Sequence, residues 1–176
     1  MILPMKNRRV VQNAWVVKDI DAAMKNWVDT MSVGPFLEMQ SINPDTYLYR
    51  GEDVRPRMRV ALAQAGEVQI EFMQILEDRP SIYRDMFAFG DGGFHHVLIL
   101  TDDFDQDIAH HRALGLDIPV LGSSGDLRVA FVDTRSKLGF MLEIVNDCPL
   151  IHAIFGAVRK ASEHWDGSDP FRPLVI

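Results

Sequence analysis

The chain is written twice. An offset of 84 residues carries Gln12 onto His96 and Asp19 onto Asp103, and an offset of 72 carries Glu71 onto Glu143. Each copy opens on a short apolar run, passes an aspartate that caps a helix, and closes on a strand with one carboxylate inside it. A unit of strand, helix and three strands cannot bury both faces of its own sheet, so the two copies must fold against each other. Face to face, they would bring Gln12, Glu71, His96 and Glu143 together.

The element reading follows from periodicity and breakers. Val10 to Val17 is long enough for a strand and too short for a helix; after Asp19, the residues Ile20, Ala23, Met24, Trp27, Val28 and Met31 recur at helical spacing until Gly34-Pro35. Strands are expected over Phe36 to Met39, Tyr47 to Tyr49 and Arg57 to Ala65, with a turn at Gly66 leading into Val68 to Ile75. A connector follows, with a short helix from Pro80 through Phe87 and a glycine linker over 90–93. The plan then repeats: His95 to Leu100, a helix on Phe104, Ile108, His111 and Leu114 closed by Gly115, and strands at Val120-Leu121, Leu127 to Val132 and Leu138 to Val145. Beyond Pro149 one more amphipathic helix carries Ile151, Ile154, Phe155 and Val158, and a turn-rich tail wraps the domain.

A carboxylate inside an apolar strand is costly unless it is paired, hydrogen-bonded or bound to a cation. Glu71, between Ile70 and Phe72, and Glu143, between Leu142 and Ile144, both stand in that position. Neighbours along a strand point to opposite faces, so the apolar flanks are not the glutamates' company. Two glutamates sharing one cavity require a proton or a divalent cation between them. His96 adds an imidazole and Gln12 an amide oxygen; one nitrogen and three oxygens suit Zn²⁺, Co²⁺, Ni²⁺, Mn²⁺ or Fe²⁺. Such an ion polarises a carbonyl while a carboxylate moves the proton beside it. Each residue also has a plainer reading: the glutamates as solvated strand positions, His96 as a satisfied strand histidine, and Gln12 as a hydrogen-bonded polar residue in the groove. His95 is expected on the opposite face, in a packing or solvent role.

Composition narrows the class. A formal charge of -7 repels phosphate backbones and argues against nucleic acid, although Arg50, Arg55, Arg57 and Arg59 cluster tightly enough to hold a small anion if they are not simply solvated. Cys148 is the single cysteine, which rules out an internal disulfide and fits a reducing, cytoplasmic setting. Residues 1–9 lack a secretory pattern, and no apolar run reaches membrane-spanning length. The expected partners are a small-molecule substrate and a second copy in a homodimer, for which the last helix, with Phe155 and Trp165, is a candidate interface.

The motifs Trp15-Val16-Val17-Lys18-Asp19-Ile20-Asp21-Ala22-Ala23 with Gly34-Pro35-Phe36, Gly93-Phe94-His95-His96 through Asp102-Asp103, and Phe131-Val132-Asp133-Thr134-Arg135 leading to Gly139-Phe140-Met141-Leu142-Glu143 occur in one order over residues 10–147. In this the chain resembles the vicinal oxygen chelate superfamily, which includes glyoxalases, methylmalonyl-CoA epimerase, extradiol dioxygenases and bleomycin-resistance proteins. The resemblance implies an α+β fold: two βαβββ modules, 10–75 and 94–147, forming one curled mixed sheet within a domain of residues 1–149, with an added C-terminal helix and tail over 150–176. It implies His96 and Glu143 as metal ligands, Glu71 as the first half's contribution, and Gln12 where many members carry histidine. Ring-cleaving dioxygenases need two histidines and a carboxylate, and this chain keeps one of those histidines. The expectation is therefore a divalent-metal lyase or isomerase/epimerase, with Glu71 and Glu143 as the proton-moving groups. The alternative is a non-catalytic binder of the same fold.

Overall fold

The computed structural model describes residues 9–39 and 43–176; the opening segment read above as lacking a secretory pattern lies, apart from Arg9, outside the described residues. Strand β1 (Val10–Val16) leads into helix α1 (Ile20–Met31). Asp19 keeps extended backbone and accepts a hydrogen bond from the Ala22 N–H at 3.0 Å, while Ser32, in the left-handed region, returns its N–H to Val28 at the other end. Then come β2 (Phe36–Glu38), β3 (Thr46–Tyr49), β4 (Met58–Ala65) and β5 (Val68–Ile75). The second copy runs β6 (Gly93–Thr101), α2 (Phe104–Ala113), β7 (Val120–Ser124), β8 (Leu127–Val132), the single turn α3 (Arg135–Leu138) and β9 (Met141–Asn146). Asp103 caps α2 through the Gln106 N–H, as Asp19 caps α1. Helix α4 (Pro149–Ser162) and β10 (Phe171–Pro173) complete the chain.

All ten strands join one sheet in the order β10-β2-β4-β5-β1-β6-β9-β8-β7-β3. Its inner eight members read the same from either side of the antiparallel β1–β6 seam, each outer strand of one half having its counterpart in the other. Within each half the first strand lies parallel to the last, β1 on β5 and β6 on β9. The α+β class, the paired modules and the added helix stand. The expected curl does not: the sheet is mixed but not strongly curled, an open ladder ending on β10 at one side and β3 at the other. The reason lies in those two edges. β3, which falls between β2 and β4 in the chain, crosses to pair with β7, and β10 adds to β2, so the sheet ends on two strands that lie outside the repeated plan and do not pair with each other.

Alternation separates the two faces. On β5, Ile70 and Phe72 pack with Ile20 and Met24 of α1, and Ile99, Ala130 and Ile144 pack with Phe104 and Ile108 of α2. Phe72, stacked on Phe36 with ring centroids 5.2 Å apart, is buried there, a burial that stabilises by about 1.5–3 kcal/mol. The opposite face carries Ala14, Val16, Val60, Leu62, Met73, Phe131 and Met141 and is covered by α4 through Val158. The segment from Pro80 to Phe87 is turns rather than the expected helix. Two i to i−4 bonds form, Asp85 to Ser81 and Phe87 to Tyr83, before Gly90, too few to offset helix nucleation. Its residues Ile82 and Tyr83 are nevertheless buried under the sheet.

Candidate metal centre

Three strands converge on one point. β5 supplies Glu71, β6 supplies His96 and β9 supplies Glu143, and one donor atom from each lies within 4.8 Å of the other two. His96 Nε2 stands 3.0 Å from Glu143 Oε2 and 3.3 Å from Glu71 Oε2. The register explains the meeting: Ala14 of the intervening β1 pairs with both Glu71 and His96, and Leu98 pairs with Glu143, so the three side chains leave neighbouring parts of the sheet on the same face. The carboxylates are thus far closer than separate surface positions would be.

His96 is aimed by its neighbour. Between β1 and β6 the register slips, Ala14 pairing with His96 but Trp15 with Phe94, so His95 is an extra residue on β6. This bulge puts two consecutive side chains on one face, where alternation would have separated them. His95 is fully buried beside Tyr83 and Phe131, and its Nδ1 lies 2.9 Å from His96 Nδ1 while its Nε2 lies 3.2 Å from the Ile82 carbonyl. A carbonyl only accepts, so His95 Nε2 carries the hydrogen and its Nδ1 is a lone pair. His96 Nδ1–H must then donate to it, which turns Nε2 toward the two carboxylates as the nitrogen a metal would take on displacing its proton. The expectation that His95 faces away is corrected: a bulge cannot be read from alternating hydrophobicity. The one trace in the sequence is the adjacency of two histidines at a strand opening.

The electrostatics agree. Burial, with the charge of His96, pushes His95 down to about 3, so it stays neutral. Burial also presses His96 down, but contact with Glu143 and then Glu71 reverses this and raises it to about 9. Burial lifts the Glu143 carboxyl above its ordinary range against the pull of His96. Although the His96 Nε2 contacts are short, neither carboxylate meets it in hydrogen-bond geometry, and this fully buried atom is left without a hydrogen-bond partner. Donors at roughly 2.0–2.2 Å from a divalent ion stand about 3.0–3.5 Å apart, the spacing of His96 Nε2 from each carboxylate, and one nitrogen with two carboxylate oxygens is a common donor set for such ions. The residues fit a divalent metal.

Gln12 lines the same cavity as the three, and its Nε2 donates to Gln69 Oε1 at 2.6 Å on the paired residue of β5. The cavity, about 390 Å³, is walled by Met39, Met58, Val60, Leu62, Met73 and Phe131 and roofed by Leu150, Ile151, Ile154 and Phe155 of α4. Trp15, at the head of the first motif, packs away from the cavity among Trp27, Phe72 and Phe94. Three of the four clustered arginines are occupied: Arg50 pairs with Asp85 and Asp117, Arg55 with Asp53, and Arg59 with Asp21 and Glu38.

The model of the Glyoxalase/Bleomycin resistance protein/Dioxygenase superfamily matches residues 11–131, and the chain belongs to this family, the vicinal oxygen chelate class. A search of curated proteins finds no match. Among solved structures the chain is similar to a hypothetical protein from Bacillus halodurans C-125, 18% identical over 81% of this chain and 96% of that one with a TM-score of 0.58. It is also similar to methylmalonyl-CoA epimerase from Mycobacterium tuberculosis, 19% identical over 86% and 97% with a TM-score of 0.58. A singly substituted Streptomyces coelicolor methylmalonyl-CoA epimerase, in complex with 2-nitronate-propionyl-CoA, is 18% identical over 80% and 97% with a TM-score of 0.51. At such identities the likeness is one of fold. A metal-capable triad in a cavity of this family makes the chain a metal-using enzyme of the glyoxalase/epimerase-like kind. No helix among the described residues is long and apolar enough to cross a membrane.

Proposed function

We propose that the chain is a divalent-metal-dependent lyase or isomerase/epimerase that moves a proton at a carbon next to a carbonyl of a small to medium organic substrate. The observation that carries this reading is the orphaned Nε2 of His96 between the carboxylates of Glu71 and Glu143. His96, Glu71 and Glu143 would hold the ion, and Gln12 would add its amide oxygen or orient a water, its nitrogen being committed to Gln69. A bound divalent ion would hold the carbonyl oxygen and stabilise the charge that develops there. Glu143, whose buried carboxyl favours the protonated form more than an ordinary glutamate, and Glu71 are the groups placed to take the proton from carbon and return it. His95 keeps His96 in the tautomer that ligates. The mostly apolar wall excludes water from the reacting carbon. The methylmalonyl-CoA epimerases of similar fold support the reaction type, and only the type.

Elemental analysis of protein purified without added metal, beside His96→Ala, tests this reading. About one ion per chain, lost in the variant together with turnover, is the expected result. Ligand binding that is indifferent both to chelation and to the substitution would instead make the chain a binding protein of the same fold.

A further inference from the structure

The cavity constrains the substrate beyond its carbonyl, and this step rests on the function just proposed. Among the described residues the lining holds neither lysine nor arginine. Of the arginines around the β3–β4 wall, Arg50, Arg55 and Arg59 are each already bound by carboxylates of their own, and Arg57, which precedes Met58, is not part of the lining. A phosphate, a nucleotide or a second carboxylate brought into the cavity would therefore meet no cation except the metal. Glu71 and Glu143 supply two negative charges and a divalent ion two positive ones, so with His96 neutral the loaded centre sums to zero. The one extra charge it is built to host is the charge developing on the reacting carbonyl. Around it stand three methionines, Met39, Met58 and Met73, whose unbranched thioethers adapt to irregular shapes, with Phe131 and Phe155 offering ring faces.

One polar group remains unexplained. Tyr47, on the strand that crosses between the halves, lines this cavity with its hydroxyl buried and without a hydrogen-bond partner. An unmade hydrogen bond of this kind is costly unless a ligand completes it. Burial, and then the charge of Glu143, hold the phenol far above its ordinary range, so it stays protonated and donates.

We propose that the substrate is an uncharged aromatic or alicyclic ketone with a large apolar body, one oxygen of which accepts a hydrogen bond from Tyr47, and not a CoA thioester or a phosphorylated acid. Benzoin, an uncharged aromatic hydroxyketone with an exchangeable C–H beside its carbonyl, and methylmalonyl-CoA, a polyanionic thioester, are suitable opposed probes. With the metal-loaded protein, titration calorimetry is expected to give benzoin a Kd at least tenfold lower than methylmalonyl-CoA. Tyr47→Phe should weaken benzoin severalfold without loss of metal, and Leu127→Arg, or Leu150→Arg should the first not fold, should narrow or reverse the ratio by adding a cation to the wall. Equal or tighter binding of methylmalonyl-CoA, or its turnover, overturns the substrate class and leaves the metal enzyme standing. Failure of the metal-loaded protein to bind benzoin overturns it as well. Benzoin binding that survives chelation but is lost in Leu127→Arg and Leu150→Arg sustains the substrate class while the metal reading fails.

Discussion

The two halves of the sheet share a backbone plan and differ in how they present their first-strand side chain. Helix caps match, Asp19 with Asp103, and so do the carboxylates on the closing strands, Glu71 with Glu143. At the opening strands the halves part. Gln12 is held across strands by Gln69, amide to amide, whereas His96 is held along its own strand by His95; the register slips just before each of them, but the extra residue is Val11 on β1 and His95 on β6. Symmetry of the fold therefore positions the two carboxylates and repeats the slip in register, and the identity of the extra residue, histidine on β6 against valine on β1, gives the single imidazole its partner.

If the nitrogen donor comes from one half alone, His96→Ala should abolish more metal binding than any change in the first half, weakening affinity by more than ~100-fold, beyond the range typical of supporting residues. Metal analysis after dialysis reads this directly; an undiminished ion content would show that the centre lies elsewhere. The bulge comes next. His95→Phe keeps the bulk but removes the acceptor for His96 Nδ1–H, and an affinity loss of about 10–100-fold is expected. His95→Gln, whose amide oxygen can still accept, should recover part of it. A purely packing role for His95 would make the phenylalanine variant the better of the two.

Protons report on the same asymmetry. His96 sits at about 9 without metal, so at pH 7 it carries a proton that an entering ion must expel. Apparent affinity should accordingly fall about tenfold for each pH unit below 9, and binding at pH 7 should release close to one proton from this group. Calorimetry in buffers of different ionisation enthalpy measures that release, and none would contradict ligation by His96. In the first half the effect is smaller: Gln12→Ala removes a neutral oxygen held by Gln69 and should weaken the metal by less than about tenfold, short of the effect of losing His95. Losses as large as those of His96→Ala would restore equality between the halves.

Much of this was legible in the chain because it rests on periodicities that local sequence obeys. The caps, the α1 and α2 stripes, and the inward alternation of Glu71 against Ile70 and Phe72 are each fixed within a few residues. What was not legible depends on contacts distant in sequence. β3 pairs with a strand more than seventy residues away, as Tyr47↔Gly122 shows, and nothing within Thr46–Tyr49 names that partner. The two open edges of the sheet follow from that crossing and from β10, which a reading built on two closed modules does not contain. His95 was placed on the wrong face because one inserted residue reverses the alternation on which such placement depends.

The smallest effect concerns a feature the halves repeat. Arg59 on β4 reaches Asp21 in the first turn of α1, and Arg128 on β8 reaches Asp105 in the first turn of α2, so each half ties its helix to the sheet by an arginine. The ties are not equal. Arg59 also grips Glu38 on β2 and is the less exposed, 31% against 45%, whereas Arg128 has one carboxylate and lies over the Phe104 ring at 4.3 Å. Partly exposed pairs contribute at most about 1 kcal/mol each, so Arg59→Ala should lower unfolding stability by roughly 1 kcal/mol and Arg128→Ala by less. Denaturant titrations of the metal-free protein measure the difference. Because both arginines lie outside the cavity wall, neither change should alter metal affinity, and a loss of metal in Arg59→Ala would mean that α1 helps hold Glu71 in place through the sheet.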